Sequence, residues 1–210
     1  CGEDSKHFKI EGRLLQINQG EFYLYSSDGT ISGFDTIKVQ GGRFSHEIEC
    51  DHPTTLTLVF PNFSEQPIFA EPGKTVDIDG DASHLKMLKI KGTDDNELMS
   101  DFREQIAASS PPEIKRFAAR FIEDHPQSPV SIYLVKKYFI ITPRPDYREA
   151  ARLLKLMKAS QPDNFIISNM LRDTKVLGQS AVGTRLPAFK IKDMKGNTIT
   201  SNSLSRGLVV

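Results

Sequence analysis

The sequence has no tryptophan and only two cysteines, Cys1 and Cys50, among its 210 residues. Cysteines so far apart provide no Cys-x-x-Cys motif, so these residues are not expected to perform dithiol chemistry themselves. The five histidines are scattered, and none is paired at the i, i+4 spacing that places two metal ligands on one helix face. Phosphate loops and nucleophile elbows are also absent. We therefore predict no catalytic residues, no metal and no cofactor.

Neither sign of charge predominates, because 27 Lys and Arg residues balance 27 Asp and Glu residues. No basic stripe with interleaved aromatics is present, so we predict no nucleic-acid partner. The balance hides a split between the two parts of the chain. Residues 1–92 carry 9 basic and 14 acidic side chains, a net charge of −5, and residues 93–210 carry 18 and 13, a net charge of +5. Opposite charges predict two modules.

Long hydrophobic runs are missing as well. The longest candidate, Val130 to Ile141, is interrupted by Lys136 and Lys137, whereas a membrane-spanning helix needs roughly 18 or more apolar residues. Attachment to a membrane would therefore require a lipid rather than a helix.

The first residues predict such a lipid. The chain opens with Cys1-Gly2-Glu3-Asp4-Ser5 rather than with Met, which resembles the mature N-terminus of a bacterial lipoprotein after removal of its signal peptide. The resemblance implies lipid attachment at Cys1 and a membrane-anchored protein of the bacterial cell envelope, facing the periplasm or exposed at the cell surface. The alternative is a chain that begins at a cysteine by coincidence.

Cys50 follows Glu47-Ile48-Glu49 at the end of a strand-like run. Once Cys1 carries a lipid, Cys50 has no partner for a disulfide, and no basic residue beside it would activate the thiol. We interpret Cys50 as a small core residue, with a nucleophile as the less favoured alternative.

Residues 7–92 alternate apolar and polar positions and are interrupted every roughly 8 to 12 residues by turn residues. Phe22 and Leu24, for example, alternate with Tyr23 and Tyr25, so the two pairs are expected on opposite faces of one strand. The pattern predicts about eight strands forming an N-terminal antiparallel β-sandwich or barrel.

Several phrases of this region, in order, resemble a domain of unknown function that precedes the thioredoxin-like half of bacterial lipoproteins. The resemblance covers residues 7–100. The phrases are Phe8–Gly12, Phe22–Ser26, Phe34–Phe44, Phe69–Gly73 and Ile90–Leu98.

The middle of the chain, residues 93–180, is predicted to be helical. Capping patterns at Asp94, Ser110, Ser128 and Asp146 open helices, and Gly178 is expected to end the last one. The predicted segments are 95–108, 111–124, 129–141, 146–160 and 163–177.

Three groups of residues in this sequence have both a functional and a plainer interpretation. The basic helix faces could dock an acidic partner or lipid head groups, although solvation explains them more simply. Asp77 and Asp79 share a strand face and could form a hydrolytic carboxylate pair, although a solvated turn is the favoured interpretation. The aromatics that could line a ligand groove, but more often form core, are Tyr133, Tyr138, Phe139 and Tyr147.

Residues 182–210 are similar to the opening of TlpA/ResA-like (AhpC/TSA, thioredoxin-like) domains. Val182-Gly183 and Pro187-Ala188-Phe189 lead into a hairpin over Ile191 to Ile199, and Gly207 to Val210 begins an apolar run. In that family the run continues into a Cys-x-x-Cys segment, so the resemblance implies the incomplete start of a redox domain.

These observations predict an α+β chain with four parts: a lipoprotein N-terminus and tether (1–6), the β domain of unknown function (7–92), a helical region (93–180) and the start of a thioredoxin-like domain (181–210). The expected function is a non-catalytic accessory or partner-binding region of a lipid-anchored thiol-disulfide oxidoreductase. Its partners would be the membrane, its own C-terminal redox domain and a protein client. The alternative is a free-standing envelope lipoprotein that binds a glycan or peptide through its β domain. The sequence assigns no ligand-binding residues.

Overall fold

In the computed structural model the chain forms two compact units, one reaching to Lys136 and the other beginning at Lys137. The structure describes residues 5–181, 190–192 and 198–200. Cys1, the predicted site of lipid attachment, lies outside the described residues, as does most of the predicted thioredoxin-like start.

The first unit contains eight strands among its described residues, in agreement with the number that the alternating pattern predicts. A short 3-10 helix, Leu85–Met87, precedes the last of them. The strands are β1 His7–Leu15, β2 Gln19–Ser26, β3 Phe34–Gln40, β4 Arg43–Glu49, β5 Thr54–Val59, β6 Glu65–Ala70, β7 Thr75–Asp81 and β8 Lys89–Lys91.

The eight strands form one nearly closed, barrel-like sheet in the order β6-β5-β2-β3-β4-β1-β7-β8. All neighbouring pairs of this sheet are antiparallel except β1 and β7, which run parallel. The prediction of an antiparallel domain is therefore wrong at this one pairing. The local period of two fixes which side chains face inward, but it does not encode the direction of a strand that returns from elsewhere.

The interior of the barrel is packed with apolar side chains from every strand of the sheet. Phe22 is fully buried there, with its ring centroid 5.1 Å from that of Phe44 and 5.0 Å from that of Phe60, both edge to face. Such aromatic pairs add about 0.5–1.5 kcal/mol each beyond the area that they bury. The strands of this sheet therefore bury an apolar core of their own.

The barrel has a seam between β3 and β4. These strands pair only at Gln40 and Arg43, beside their connecting turn. Farther from the turn, the inward-facing side chains of Asp35 and His46 meet across the seam, with Oδ2 and Nε2 2.8 Å apart. A polar contact therefore links the two strands where no backbone ladder does.

Besides the seam, the sheet is open between its edge strands β6 and β8. Helix α1, Asp94–Ile106, covers this opening. Asn96 holds both backbone groups of Phe69 in β6: its Oδ1 accepts from the N–H at 2.9 Å, and its Nδ2 donates to the carbonyl at 2.7 Å. On the other side, Ser100 Oγ accepts from the backbone N–H of Ile90 in β8 at 2.8 Å. Edge strands expose backbone groups that need partners, and these side chains supply them.

Arg103 completes this closure one turn farther along α1. Its Nε donates to Gln66 Oε1 at 2.8 Å, and its two terminal nitrogens lie 3.3 Å from the Leu88 carbonyl and 3.4 Å from the Pro67 carbonyl. The planar guanidinium thus contacts both edge strands at once, which the single ammonium of a lysine could not do. Residues 96, 100 and 103 share one helix face, so α1 is an integral part of the barrel wall.

The other helices of the chain begin close to their predicted capping residues. Glu113 Oε2 accepts a hydrogen bond from the backbone N–H of Ser110 at 3.0 Å. Ser128 Oγ accepts one from the backbone N–H of Val130 at 3.2 Å, and Asp146 Oδ1 accepts one from the backbone N–H of Glu149 at 3.1 Å. The predicted cap at Asp94 is wrong by one position, because Thr93 occupies the cap of α1 in extended conformation. The remaining helices are α2 Pro111–Asp124, α3 Pro129–Val135 with a π-helical continuation Lys136–Ile140, α4 Tyr147–Ser160 and α5 Phe165–Ala181.

In the second unit α4 and α5 pack against each other. The prediction that Gly178 ends the last helix is wrong, because α5 continues to Ala181. A Cβ at Gly178 would lie 3.4 Å from Tyr147 Cβ, an ordinary contact distance, so a small side chain would fit at this position of the helix. Two further strands, β9 Lys190–Lys192 and β10 Thr198–Thr200, pair antiparallel at the place of the predicted hairpin. Their relation to a thioredoxin-like fold stays a prediction.

No helix within the described residues has the length and apolar character needed to cross a membrane.

Candidate functional site

Cys50 is buried at one end of the barrel, with 1% of its surface exposed. Its backbone N–H donates to the Lys6 carbonyl at 2.6 Å, which extends the β1–β4 pairing, and its thiol donates to the His52 carbonyl at 3.2 Å. Burial raises the pKa of the thiol, with a smaller contribution from the nearby carboxylates of Asp51 and Asp28. A thiol held in its protonated form is a poor nucleophile, which supports the interpretation of Cys50 as a core residue.

A polar cluster lies over Cys50 and joins two loops at this end of the barrel. We call it the His52 clasp, and it consists of Asp28, Asp51, His52 and Thr54. His52 lies between two carboxylates, with Nδ1 2.5 Å from Asp51 Oδ1 and Nε2 3.0 Å from Asp28 Oδ2. Thr54 Oγ1 also donates to Asp28 Oδ2, at 2.6 Å. The clasp ties the β2–β3 loop to the β4–β5 loop beside a cavity of about 470 Å³.

The two carboxylates stabilise the protonated form of His52. The hydrogen bonds to Asp51 and then to Asp28 raise the pKa of the His52 imidazole above its ordinary value of 6.5. The pKa of Asp51 is lowered, chiefly by its hydrogen bond to His52. Partial burial alone would raise the pKa of Asp28, but hydrogen bonds from Thr54, Thr30 and His52 outweigh burial and lower it. The hydrogen bonds of the cluster therefore favour the charged form of each of its three titratable groups.

We expect the His52 imidazole to titrate above pH 6.5 in the folded protein. A group whose folded pKa is raised contributes its full stability below the unfolded pKa and loses it as pH rises through the folded value. The two carboxylates behave in the opposite way, since their contribution is lost as pH falls below 3.8 through their lowered folded values. The clasp should thus be strongest between these limits, and an NMR titration of the imidazole checks the shift.

Two substitutions test separately how much each carboxylate raises the pKa of His52. Asp51→Asn and Asp28→Asn should each lower the imidazole pKa toward the ordinary value, whereas Asp101→Asn, an exposed change on α1, should leave it unchanged. An imidazole that titrates at or below 6.5 in the unmodified protein would contradict the clasp.

Asp77 and Asp79, the carboxylates considered for hydrolysis, lie on the outer face of β7. Each stands opposite a basic residue of β8, since Asp77 pairs with Lys91 and Asp79 with Lys89. Cross-strand pairs of opposite charge stabilise a sheet, and no cluster of three or more metal-binding side chains occurs among the described residues. The geometry favours a solvated, structural role, but the predicted turn is wrong, because both residues lie within strand β7.

The four aromatics of the helical region are distributed between the two units. Tyr133 lies in the first unit, with its ring centroid 6.4 Å from that of Phe69 in edge-to-face contact. Burial raises the pKa of its phenol. In the second unit Lys137 Nζ lies 5.7 Å from the centroid of the Tyr138 ring, and Phe139 is buried. Tyr133 and Phe139 thus contribute to packing, as the plainer interpretation expects.

The outer face of the sheet carries an aromatic strip, which consists of Tyr23, Tyr25 and Phe34. Tyr25 pairs with Phe34 across β2 and β3, and Tyr23 lies diagonally beside Phe34 with ring centroids 5.4 Å apart and perpendicular planes. Phe34 is 62% exposed and Tyr23 37% exposed. The sequence contains the signal for this strip, because Tyr23 and Tyr25 alternate with core residues, but periodicity alone does not show that Phe34 joins them.

A cleft of about 370 Å³ lies between α1 and α2, with Phe102, Phe117 and Phe121 among its lining residues. Phe121 contacts Phe102 and His125, at centroid distances of 5.9 and 4.7 Å. Ring contacts of this kind are typical of helix packing.

Comparison with known proteins gives one family match, which lies over the barrel. No curated protein and no solved structure matches the chain. Residues 8–99 match the family described as Domain of unknown function (DUF4369), so the match spans the whole barrel-like sheet and ends within α1.

Proposed function

We propose that this chain is a non-catalytic accessory region that binds or orients partners for a lipid-anchored thiol-disulfide oxidoreductase. The observation that carries the proposal is the state of Cys50, whose thiol is buried, protonated and too far along the sequence from Cys1 for a dithiol motif. With the thiol of Cys50 buried and that of Cys1 proposed to carry a lipid, this region would contribute to disulfide exchange through binding rather than through chemistry.

The match to a domain of unknown function supports the part of the proposal that concerns the barrel. The similarity of residues 182–210 to the opening of thioredoxin-like domains supports the redox partner. Lipid attachment at Cys1 and a location in the cell envelope belong to the same proposal. Metabolic labelling with a fatty acid, with Cys1→Ser as the control, tests them.

The function is tested by comparing this chain with the complete product of its open reading frame in a disulfide-reduction assay. We expect the complete product to reduce a protein disulfide and this chain to be inactive. Cys50→Ala should change the activity of neither. In the complete product, deleting the barrel should weaken turnover of a protein client more than turnover of a small disulfide. Activity of this chain alone, abolished by Cys50→Ala, would refute the proposal.

A second candidate, an envelope protein that binds a glycan or peptide through the barrel, is favoured by one observation. The aromatic strip exposes two rings on the outer face of a well-packed sheet.

A further inference from the structure

Polar and acidic side chains border the aromatic strip, together with Val59 of β5, which pairs with Tyr23. The Tyr23 hydroxyl donates to Glu21 Oε2 at 3.5 Å, and the Tyr25 hydroxyl donates to Glu65 Oε1 at 3.4 Å. Each phenol is thus oriented by a carboxylate at the margin of the strip. The phenol oxygens keep acceptor capacity, and the carboxylates keep further acceptor sites.

Threonines of the neighbouring strands complete the outer face. Thr36 of β3 pairs with Tyr23, and Thr57 of β5 pairs with Tyr25. Their hydroxyls can both donate and accept hydrogen bonds. Lys38, which pairs with Glu21, is the basic residue of this part of β3. The face therefore combines open ring surface with many hydroxyl and carboxylate groups and has no excess of positive charge.

Pairing of an extended peptide with the sheet would need a free strand edge. The strip lies on β2 and β3, and β2 is flanked on both sides by β5 and β3. At the ends of the sheet, α1 occupies backbone groups of β6 through Asn96 and of β8 through Ser100. An extended peptide therefore has no free edge to join at β2, β6 or β8. The edge of β3 at the seam pairs with β4 only beside the turn, and the Asp35–His46 contact spans the rest of it. We therefore expect the ligand of this face to be recognised from above the sheet.

We propose that the aromatic strip binds a neutral oligosaccharide. The C–H groups of a sugar ring stack on the open face of Phe34 with Tyr23 beside it, and sugar hydroxyls donate to Glu21 and Glu65 and exchange hydrogen bonds with Thr36. An acidic glycan is disfavoured, because the two carboxylates would repel it. This inference rests on the second candidate function and does not depend on any redox partner.

The proposal is tested by NMR titration of this chain with cellohexaose, chitohexaose, maltohexaose and, as an acidic counterpart, hexagalacturonate. We expect at least one neutral hexasaccharide to shift the signals of β2 and β3, and hexagalacturonate to bind more weakly. Phe34→Ala and Tyr23→Ala should each weaken binding by about tenfold or more, and Phe34→Tyr should retain it.

Phe63→Ala is the matched control, because Phe63 is 83% exposed but lies in the β5–β6 turn, outside the strip. It should leave the affinity unchanged. Binding of none of the neutral hexasaccharides overturns the proposal, and so does tighter binding of the acidic one or an equal loss in Phe63→Ala. Thermal unfolding of each variant verifies that it is folded. The disulfide-reduction assay reports separately on the accessory role, so either proposal can fail without the other.

Discussion

Replacing Asn96 with leucine is expected to lower the free energy of unfolding by about 3 kcal/mol or more. Asn96 is 1% exposed, and its amide satisfies both the N–H and the carbonyl of Phe69 in edge strand β6. A third hydrogen bond, 2.7 Å long, joins it to Thr93 Oγ1 at the start of α1. Leucine is of similar size but leaves these buried polar groups without partners, each at a cost of roughly 1–3 kcal/mol. Urea unfolding followed by circular dichroism measures the loss.

Gln105→Leu is the matched control, since it makes a similar amide-to-apolar change at an exposed position of the same helix. It should alter stability by less than about 0.5 kcal/mol. If the two variants unfolded at the same urea concentration, α1 would not be sealing the barrel through Asn96.

Substituting Gly92 with alanine is expected to destabilise the protein by about 2–4 kcal/mol. Gly92 connects β8 to α1 with φ at +118°, a conformation that L side chains rarely adopt, and a Cβ there would lie 2.4 Å from the Thr75 carbonyl oxygen. The Thr75 carbonyl is part of the backbone of strand β7, so it cannot move away by a change of rotamer as a side chain could. Either β8 or α1 must shift, and thermal unfolding will report the cost.

Gly33→Ala separates the conformational cost from the clash. Gly33 also has a positive φ, +70°, but a Cβ there meets nothing within 4 Å. We expect a loss of only about 1 kcal/mol. Equal losses for the two substitutions would show that the contact with Thr75 does not limit stability.

Local patterns predicted most of the helices and strands, because caps and periodicity depend on residues close in sequence. Ser110, Ser128 and Asp146 mark the starts of helices in the structure, as their capping patterns indicate. The same logic failed at Gly178, because α5 continues past this glycine to Ala181.

The candidate sites were harder to predict, since they are assembled from distant segments. Asp28 and His52 are far apart in sequence, and only the arrangement of two loops at one end of the barrel brings them within 3.0 Å. Phe34 likewise joins Tyr23 only through the register of β2 with β3. The absence of a dithiol motif, by contrast, follows from the two cysteine positions alone.

The sequence by itself determined the α+β class, the inward and outward faces of the strands, and the absence of a Cys-x-x-Cys motif from these residues. All three depend on composition or on periods of two and 3.6 residues, which act over short distances. Only the tertiary structure decided the parallel pairing of β1 with β7, the closure of the sheet by α1 and the grouping of the aromatic strip. These features require contacts between residues remote in sequence, whose formation depends on how the whole chain packs.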